Sequence, residues 1–367
     1  MILTYLFSPL IYLLIAIRKK KAISRILIIQ TAKIGDLICS TPVFRAIKKK
    51  YPDAYISVIA NPVTKELLEY NPNINEIITV KKTDYKGLSG KLKLSGLIRK
   101  GKYDIGICLN PNIPFAVALF WGFVPVRLSV MPDFSGFTFK LASVFFTHLE
   151  KHASGRMVIE TYMQMLKTIG ISSSDISKEV YKSEEADIKA KQILEEINKP
   201  VIGIAVSSAN KLKELGTEKI VKLIDLLLNA IDGNIVLIGS NQDKNISDMV
   251  LGSVIQNNRI INAAGKLSLS ELPALIERLS LFIGVDTGII YMADALSVPI
   301  IHLAGPIDTS EQRPVGKNVK IIQYKLPCVP CTYVFKAAYN CKLQSRACIN
   351  TIKTEDIVNA AKELISR

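Results

Sequence analysis

The sequence lacks the motifs of several common classes of protein. No G-x-G-x-x-G follows a strand-like apolar run and opens a helix, which argues against an NAD site of the Rossmann type. No zinc-finger or helix-turn-helix spacing occurs, and the basic clusters are not interleaved with stacking aromatics, so we expect no nucleic-acid partner. No low-complexity tract interrupts the 367 residues, of which 49% are hydrophobic. This composition predicts two folded domains of ordinary size.

Acidic residues are scarce in the first part of the chain. Residues 1–150 contain 21 Lys and Arg but only 9 Asp and Glu, whereas the other 217 residues contain 26 and 23. A basic field of this kind favours an anionic partner, such as a membrane surface or a phosphorylated substrate. A solvated basic surface that serves only solubility has the same composition.

Residues 1–17 carry no charge, and four basic residues, 18–21, follow at once. A cleavable signal peptide has its charges before the apolar run, and the order here is reversed. Basic residues after an apolar run predict that the globular part is cytoplasmic. We therefore expect residues 1–21 to be a retained anchor that spans the membrane or lies on its anionic surface. Pro9 disfavours a straight span, and the alternative is a first buried helix of the fold.

Apolar runs alternate with helical segments in both halves of the chain. The runs at 25–30 and 201–206 are continuous, which is typical of parallel strands buried on both faces. The polar stretch 171–187 is interpreted as a linker between two α/β domains. The expected segments are an anchor at 1–21, a first domain at 22–180, a second domain at 181–350 and a C-terminal helix at 351–367.

Two polar turns follow predicted strands and open helices. Asp286-Thr287-Gly288 follows the run Leu281–Val285, and Asp36 follows the first strand after a short loop. Free N–H groups and the helix dipole make such a turn suitable for a phosphate. The same residue types also simply cap a helix or permit a turn. An aspartate in this position is, in addition, a carboxylate at the edge where open α/β sheets build their sites.

The segment 113–147 is aromatic-rich and is expected to be irregular. Its aromatics either pack as core under a long loop or form an apolar surface toward a lipid. His148 and His152 follow, four residues apart in a predicted helix. That spacing suits a metal ion, but no third ligand is near, and we interpret both as surface or acceptor-contacting histidines.

Four cysteines near the C-terminus have the spacing C-x2-C-x9-C-x6-C. Thiolates in a reducing compartment can bind a structural zinc ion. Another metal, reduced thiols that pack a loop, and disulfides are the alternatives. The cysteines are Cys328, Cys331, Cys341 and Cys348.

Two blocks resemble glycosyltransferase family 9, the ADP-heptose:lipopolysaccharide heptosyltransferases and their relatives. RILIIQTAKIGDLICSTPVFRAIKKKYPDAYISVIANP resembles the family's opening, and IGVDTGIIYMADALSVPIIHLAGPID resembles its second signature. The resemblance covers about residues 24–365. It implies an α/β fold of the GT-B type, with two Rossmann-like domains whose parallel sheets face each other across a cleft. It also implies an inverting transfer that needs no metal or other cofactor for catalysis.

The resemblance assigns roles to individual residues. Asp36 matches the family's general base, and Lys33 and Gly35 lie beside it on the acceptor side. The carboxylate suits that role, because an acceptor hydroxyl must lose a proton as it attacks the anomeric carbon. The implied donor-binding residues are Ser207, Ser208, Lys213, Asp286, Thr287, Gly288 and Tyr291.

The chain departs from the family pattern at several of these positions. Ser207 and Ser208 replace the usual Pro-Gly, and Tyr291 replaces a frequent histidine. Asp294 stands where a small apolar residue is usual, so we expect Tyr291 and Asp294 to decide which sugar nucleotide is accepted. The implied donor is nonetheless ADP-heptose or a similar nucleotide sugar.

The implied reaction moves a heptose or related sugar to a lipid-linked glycan such as the lipopolysaccharide core. Its expected place is the cytoplasmic face of the inner membrane, with the anionic membrane surface as a partner. Two alternatives stay open from the residues alone: a non-catalytic protein of the same fold that binds a glycan or nucleotide, and a nucleotide-sugar epimerase of the GT-B type.

Overall fold

The computed structural model describes residues 2–17, 22–194, 197 and 199–366. The chain folds as two compact units that divide between Ile176 and Ser177. This division lies inside the polar stretch 171–187. The basic residues 18–21 of the expected anchor lie outside the described residues.

Six strands of the described chain form the sheet of the first unit. They are β1 (Arg25–Gln30), β2 (Tyr55–Ala60), β3 (Glu76–Thr79), β4 (Ile105–Cys108), β5 (Val126–Pro132) and β6 (His148–His152). All neighbours are parallel, in the order β3-β2-β1-β4-β5-β6. The order reverses between β1 and β4, and ligands of doubly wound sheets bind at such a switch point.

The second unit repeats this topology with a second set of six strands. They are β7 (Val201–Ala205), β8 (Asn234–Ile238), β9 (Ile260–Asn262), β10 (Leu281–Val285), β11 (Ile300–Leu303) and β12 (Val319–Ile322). They are again all parallel, in the order β12-β11-β10-β7-β8-β9. The switch point of this sheet lies between β7 and β10.

Helices precede, connect and follow the strands of the two sheets. In the first unit they are α1 (Ile2–Ile17), α2 (Ile34–Cys39), α3 (Thr41–Lys50), α4 (Gly87–Gly101), α5 (Ile113–Trp121), α6 (Phe137–Ser143) and α7 (Val158–Leu166). In the second unit they are α8 (Glu184–Leu194), α9 (Thr217–Ala230), α10 (Lys244–Ser253), α11 (Leu272–Ile276), α12 (Gly288–Ala295), α13 (Ala347–Asn350) and α14 (Thr354–Ile365).

The central strands are buried on both faces, as the continuous apolar runs predict. Ile26 and Leu27, which point to opposite faces of β1, are both fully buried. In the second unit the last helix, α14, joins the same core, because Ile357 and Leu364 cluster with Leu223 of α9. The C-terminal helix is therefore part of the second unit.

Two local expectations were wrong. The segment 113–147 is not irregular, since it contains α5, β5 and α6. His148 and His152 lie at the two ends of strand β6, which pairs in parallel with β5 at the sheet edge. Four residues of strand span about 13 Å, so these histidines cannot share a metal ion as helix neighbours would. His152 is buried, and its Nδ1 lies 2.8 Å from the Thr161 hydroxyl.

The helical segment after β1 is divided at Ser40 into α2 and α3. Pro42 lies in the first turn of α3, where its missing N–H costs no hydrogen bond.

No helix among the described residues has both the length and the apolar character to cross a bilayer.

Candidate functional site

In the second unit, polar side chains from three elements meet beyond the carboxyl ends of β7 and β10. Asp286 directly follows β10, and Lys213 ends a short 3-10 helix in the loop after β7. His302 lies on β11, opposite Gly284 of β10. This edge contains the switch point, where doubly wound sheets bind ligands. The fold thus brings the predicted residues Lys213 and Asp286 together.

Asp286 is at the centre of this group. Its Oδ1 accepts a hydrogen bond from the Tyr291 hydroxyl at 2.6 Å, and its Oδ2 pairs with the Lys213 ammonium. The Nε2 atom of His302 lies 3.8 Å from Oδ1. The carboxylate therefore has a cation on one oxygen and a neutral donor on the other, which fixes its orientation.

Burial and charge act in opposite directions on Asp286. Burial favours the neutral acid, but the Lys213 ammonium, His302 and the Tyr291 hydroxyl outweigh it and lower the pKa of Asp286. Burial also lowers the pKa of His302 to about 4, although the Asp286 charge opposes this shift. At neutral pH Asp286 is therefore ionised and His302 is neutral, so Lys213 is the cation that balances Asp286.

Helix α12 begins immediately after this group. Thr287 is its N-cap residue, but no N–H of the described first turn donates to the Thr287 side chain. Gly288, the first helical residue, adds no side chain beside that end. The uncapped N–H groups and the helix dipole attract an anion. Together with the Lys213 ammonium, this helix end is chemically suited to a phosphate group.

The two serines after β7 take part in hydrogen bonds within the protein. The Ser207 hydroxyl donates to Asp243 Oδ1 at 2.6 Å, which ties this loop to the start of α10. Ser208 is buried, and its hydroxyl accepts the Asn210 N–H at 3.3 Å. These bonds account for both serines structurally, and their role in donor binding stays a prediction.

Asp294 has a structural role in this fold. It is buried on α12, and its Oδ2 accepts the Lys178 ammonium at 2.6 Å. Its Oδ1 accepts the backbone N–H groups of Val315 and Gly316 at 2.9 and 2.8 Å. The carboxylate thus holds the loop before β12 and needs no ligand to explain it.

In the first unit, Asp36 lies in the first turn of α2, just beyond the carboxyl end of β1. Its Oδ2 accepts the backbone N–H of Lys33 at 3.2 Å, and its main-chain carbonyl accepts the Ser40 hydroxyl at 2.6 Å. Burial raises the pKa of the nearby Tyr162 hydroxyl, and the Asp36 charge adds to that shift. Asp36 is half-buried and close to the switch point of its own sheet.

The two residues beside Asp36 differ in accessibility. Lys33 is the N-cap residue of α2 and is exposed, whereas Gly35 is buried in the first turn. The buried Tyr162 hydroxyl donates to the carbonyl of Leu109, just after β4, at 2.9 Å. An exposed cation, a half-buried carboxylate and a buried tyrosine therefore lie around one strand end.

The four clustered cysteines lie between β12 and the end of α13, and all are free cysteines. Burial raises the pKa of Cys348, and the other three thiols add to the shift, so all four lie within electrostatic reach. In the described part of the chain, however, no three His, Cys, Asp or Glu side chains have an arrangement that could hold a metal ion. The thiols are neighbours, but their present positions do not form a coordination sphere.

The Cys-rich loop, residues 328–348, contacts the loop that carries Lys213. The Asn210 side chain donates to the carbonyl of Ala338 at 2.8 Å, and Arg346 donates to the carbonyl of Glu214. The Cys331 N–H donates to the carbonyl of Pro306, after β11, at 3.0 Å. The Cys-rich loop therefore packs against the loop that carries Lys213.

Sequence reasoning missed His302, Lys178 and Tyr162. A signal for His302 was present, because it is the one polar residue in the apolar run 298–303. A polar residue in a strand buried on both faces needs a partner or a purpose. Lys178 lies in the linker, and no sequence pattern connects it with Asp294, 116 residues away.

Comparison with known proteins gives a consistent result. The model of glycosyltransferase family 9 (heptosyltransferase) matches residues 91–340, more than half of the chain. The lipopolysaccharide heptosyltransferase 3 of Escherichia coli is 28% identical over 297 residues, which cover 78% of this chain and 84% of that protein.

Solved structures share the fold. A glycosyl transferase family 9 protein from Veillonella parvula DSM 2008 matches with a TM-score of 0.77 at 23% identity, covering 95% of this chain and 99% of that one. The E. coli heptosyltransferase WaaC with ADP-2-deoxy-2-fluoro heptose matches with a TM-score of 0.64 at 17% identity, covering 93% and 99%. With its two parallel sheets of Rossmann topology, the chain is a glycosyltransferase of the GT-B fold class and belongs to glycosyltransferase family 9 (heptosyltransferase).

Proposed function

We propose that this enzyme transfers a heptose or related sugar, with inversion and without a metal, from an ADP-sugar to a lipopolysaccharide-core or other surface-glycan acceptor. The observation that carries the proposal is the group formed by Asp286, Lys213 and Tyr291 beside the uncapped start of α12. A cation and a helix N-terminus together are what the diphosphate of such a donor requires. WaaC, which shares the fold, has been solved with an ADP-heptose analogue.

In the proposed reaction, Asp36 accepts the proton of the acceptor hydroxyl as its oxygen attacks the anomeric carbon. The new bond joins that oxygen to the anomeric carbon, and the bond from this carbon to the diphosphate oxygen breaks. The electron pair leaves with the nucleoside diphosphate. Attack opposite the leaving group inverts the anomeric configuration.

The leaving diphosphate is stabilised by groups of the second unit. Lys213 and the N–H groups after Thr287 neutralise its developing charge, a task that a divalent metal performs in many other transferases. Asp286 and Tyr291 orient the donor sugar, and Ser207 and Ser208 line the phosphate loop. Lys33 and Gly35 contribute to the acceptor side.

The test is a transfer assay with ADP-heptose and a lipopolysaccharide acceptor that lacks the terminal heptose. We expect product in the presence of EDTA, with the inverted anomeric configuration by NMR. Binding of the donor without transfer to any extracted glycan supports the non-catalytic alternative. Conversion of free donor without an acceptor identifies an epimerase instead.

We further propose that the four clustered cysteines bind a structural zinc ion or another metal. Support comes from the four thiols in the spacing C-x2-C-x9-C-x6-C, which are soft metal donors when ionised. The proposal requires the thiols to move together on binding, because their positions in the described part of the chain form no coordination sphere. The metal would stiffen the loop behind Lys213 and would take no part in the transfer. Metal analysis of purified protein tests this: one equivalent is expected, lost in Cys328→Ser/Cys331→Ser and retained in Cys39→Ala. Protein that is purified anaerobically without a bound metal contradicts the proposal.

Finally, we propose that the enzyme works at the cytoplasmic face of the inner membrane, on a lipid-linked acceptor. The basic first half and the uncharged residues 1–17 followed by four basic residues support this location. Fractionation of cells that produce the full chain, with and without a high-salt wash, tests it. Recovery entirely in the soluble fraction at low salt contradicts it.

A further inference from the structure

Helix α1 has an unusual distribution of apolar side chains. One face packs on the protein, where Ile11 is buried and Ile15 is partly buried against Phe120 and Phe145. The face that points away is apolar as well, although the outer face of a surface helix is normally polar. The exposed fractions on that outer face are 85% for Ile2, 69% for Leu6, 57% for Leu13 and 72% for Ile17.

Helix α1 is held firmly in place by its inner face. The Trp121 indole N–H donates to the Thr4 hydroxyl at 3.2 Å, and the Tyr12 ring lies 4.9 Å from that of Phe120. The Tyr5 hydroxyl donates to the carbonyl of Leu141 at 2.7 Å. The orientation of α1 relative to the first unit is therefore fixed by contacts from α5 and α6.

The bond from Tyr5 to Leu141 also connects α1 to a second exposed apolar element. Around α6, Phe137 is 74% exposed and Val144 is 52% exposed. Tyr5 and Leu141, where the two elements meet, are themselves 41% and 39% exposed. Isolated exposed apolar residues are normal, whereas several on neighbouring elements mark an interaction surface.

Charges that follow α1 in the sequence and lie on α6 indicate the partner of this surface. Residues 2–17 contain no acidic or basic residue, four basic residues follow in the sequence, and Lys140 lies on α6. An apolar helix followed in the chain by basic residues matches an anionic bilayer, which offers acyl chains next to phosphate groups. A second copy of this chain matches less well, because its net charge of +15 repels an identical molecule.

The packing of α1 determines how it can lie. The described helix, Ile2–Ile17, contains Pro9, and its inner face is occupied by contacts with the protein. A helix that is fixed in this way along the protein surface can insert its outer face among the headgroups while it lies in the plane of the membrane.

We propose that α1 and α6 form one surface that inserts into the anionic leaflet in the plane of the membrane and sets the orientation of the first unit on it. The proposal rests on the membrane location proposed above, and it adds the side chains that insert and the rigid attachment. It is independent of the transfer chemistry.

Flotation of the full chain with vesicles tests the surface. Binding is expected to vesicles that contain phosphatidylglycerol and to be at least tenfold weaker to pure phosphatidylcholine. The double variant Leu6→Glu/Leu13→Glu is expected to lose at least tenfold in affinity, and Phe137→Glu less. The matched control is Met249→Glu/Ile255→Glu, which changes two equally exposed apolar residues of the second unit, 62% and 82% exposed. Binding that is unchanged in Leu6→Glu/Leu13→Glu overturns the proposal.

The single tryptophan tests the in-plane orientation without any substitution, because Trp121 packs directly under α1. Lipids brominated near the headgroup are expected to quench Trp121 more than lipids brominated near the chain ends. The reverse order overturns the in-plane arrangement.

Two further measurements separate the remaining outcomes. Sedimentation without lipid shows whether Leu6→Glu/Leu13→Glu converts a dimer into a monomer, a result that assigns the surface to a second copy and overturns the proposal. Transfer to a detergent-dispersed acceptor is expected to be retained by this variant. Failure of the transfer assay in the unaltered protein concerns the proposed reaction alone, since vesicle binding is measured without donor.

Discussion

The two sheets have the same strand order, yet the aspartates at their switch points have different surroundings. Asp36 accepts the backbone N–H of Lys33 within its own turn. Asp286 contacts three side chains from different elements. They are Lys213 in the loop after β7, Tyr291 on α12 and His302 on β11. A carboxylate that is paired with a cation is held ionised and oriented, whereas the role proposed for Asp36 requires a carboxylate that takes up a proton. We infer that the repeated topology was used for two different tasks.

The largest effect is expected at Asp36. Asparagine at this position still accepts the Lys33 N–H but cannot take a proton, so Asp36→Asn is expected to lower kcat by about 10²–10⁴-fold. The KM for the donor should change little, because the donor groups lie in the second unit. Steady-state kinetics in both substrates measures this split.

The control for Asp36→Asn is Asp84→Asn. Asp84 also accepts the backbone N–H of a lysine three residues before it, Lys81, at 2.7 Å. Loss of activity in both variants would show that a disturbed local turn, and not the loss of proton transfer, explains the effect at Asp36. A kcat within threefold of the unaltered enzyme in Asp36→Asn removes it as the base.

The second prediction concerns acid stability of the second unit. Because burial lowers the pKa of His302 from 6.5 to about 4, the unfolded chain binds the proton more readily than the folded one. Stability is therefore complete above about pH 6.5 and decreases as the pH falls toward 4. The total loss is about 3 kcal/mol, from 1.36 kcal/mol per pKa unit.

His302→Asn removes this titration and is expected to flatten the stability profile between pH 6.5 and 4. Urea unfolding at a series of pH values, followed by a probe in the second unit, measures it. His148→Asn, at the edge of the first sheet, is the control for the loss of a histidine as such. An unchanged slope in His302→Asn means that other groups cause the acid loss.

These two aspartates also show what the sequence could predict. The continuous apolar runs predicted the buried parallel strands, and the turns after them identified Asp36 and Asp286, because both signals are local. The partners of Asp286 could not be found in this way. His302 lies near Asp286 because β11 pairs with β10 in a particular register. Lys178 lies near Asp294 because of tertiary packing. Neither arrangement produces a periodic pattern in the sequence.

The errors have the same cause. His148 and His152 have a helical spacing, but the segment is recruited as an edge strand by pairing with β5. Pairing between segments 20 residues apart overrides local preference. The aromatic segment 113–147 was expected to be irregular for a related reason: α5 is buried all round, so it shows no amphipathic period.

The third prediction concerns the cation. Lys213→Ala is expected to weaken donor binding by about 10–100-fold, the value of a charge-assisted hydrogen bond to a phosphate. It also leaves the Asp286 carboxylate without its cation, so thermal stability should fall. Lys211→Ala is the control, since Lys211 lies two residues earlier, is exposed and pairs with Glu214 instead. Calorimetric titration with ADP measures the affinity, and equal affinities of the two variants would remove Lys213 from the site.

A double variant separates the two roles of Lys213. Lys213→Ala/Asp286→Asn replaces the uncompensated charge by a neutral amide, so it is expected to recover stability relative to Lys213→Ala. Donor affinity should not recover, because the phosphate still lacks its cation. Recovery of both would show that Lys213 serves only to neutralise Asp286.

The smallest effect is expected at Tyr291, which supplies the neutral donor to Asp286. Tyr291→Phe removes one hydrogen bond at 2.6 Å and leaves the Lys213 pair in place. A single hydrogen bond to a charged group contributes about 1.5–3 kcal/mol, and the remaining cation compensates part of it. We therefore expect a loss of about tenfold in kcat/KM with little change in ADP affinity, because the hydroxyl orients the carboxylate toward the sugar and not the phosphates.

Tyr324→Phe is the matched control for that variant, since the Tyr324 hydroxyl donates to Asp356 at an exposed position of the same unit. Its kcat/KM should not change. If Tyr291→Phe instead loses affinity for ADP alone, Asp286 and Tyr291 act on the phosphates together with Lys213. Asp286 would then act on the donor phosphates and not on the donor sugar. The two aspartates would differ only in the groups that surround their carboxylates.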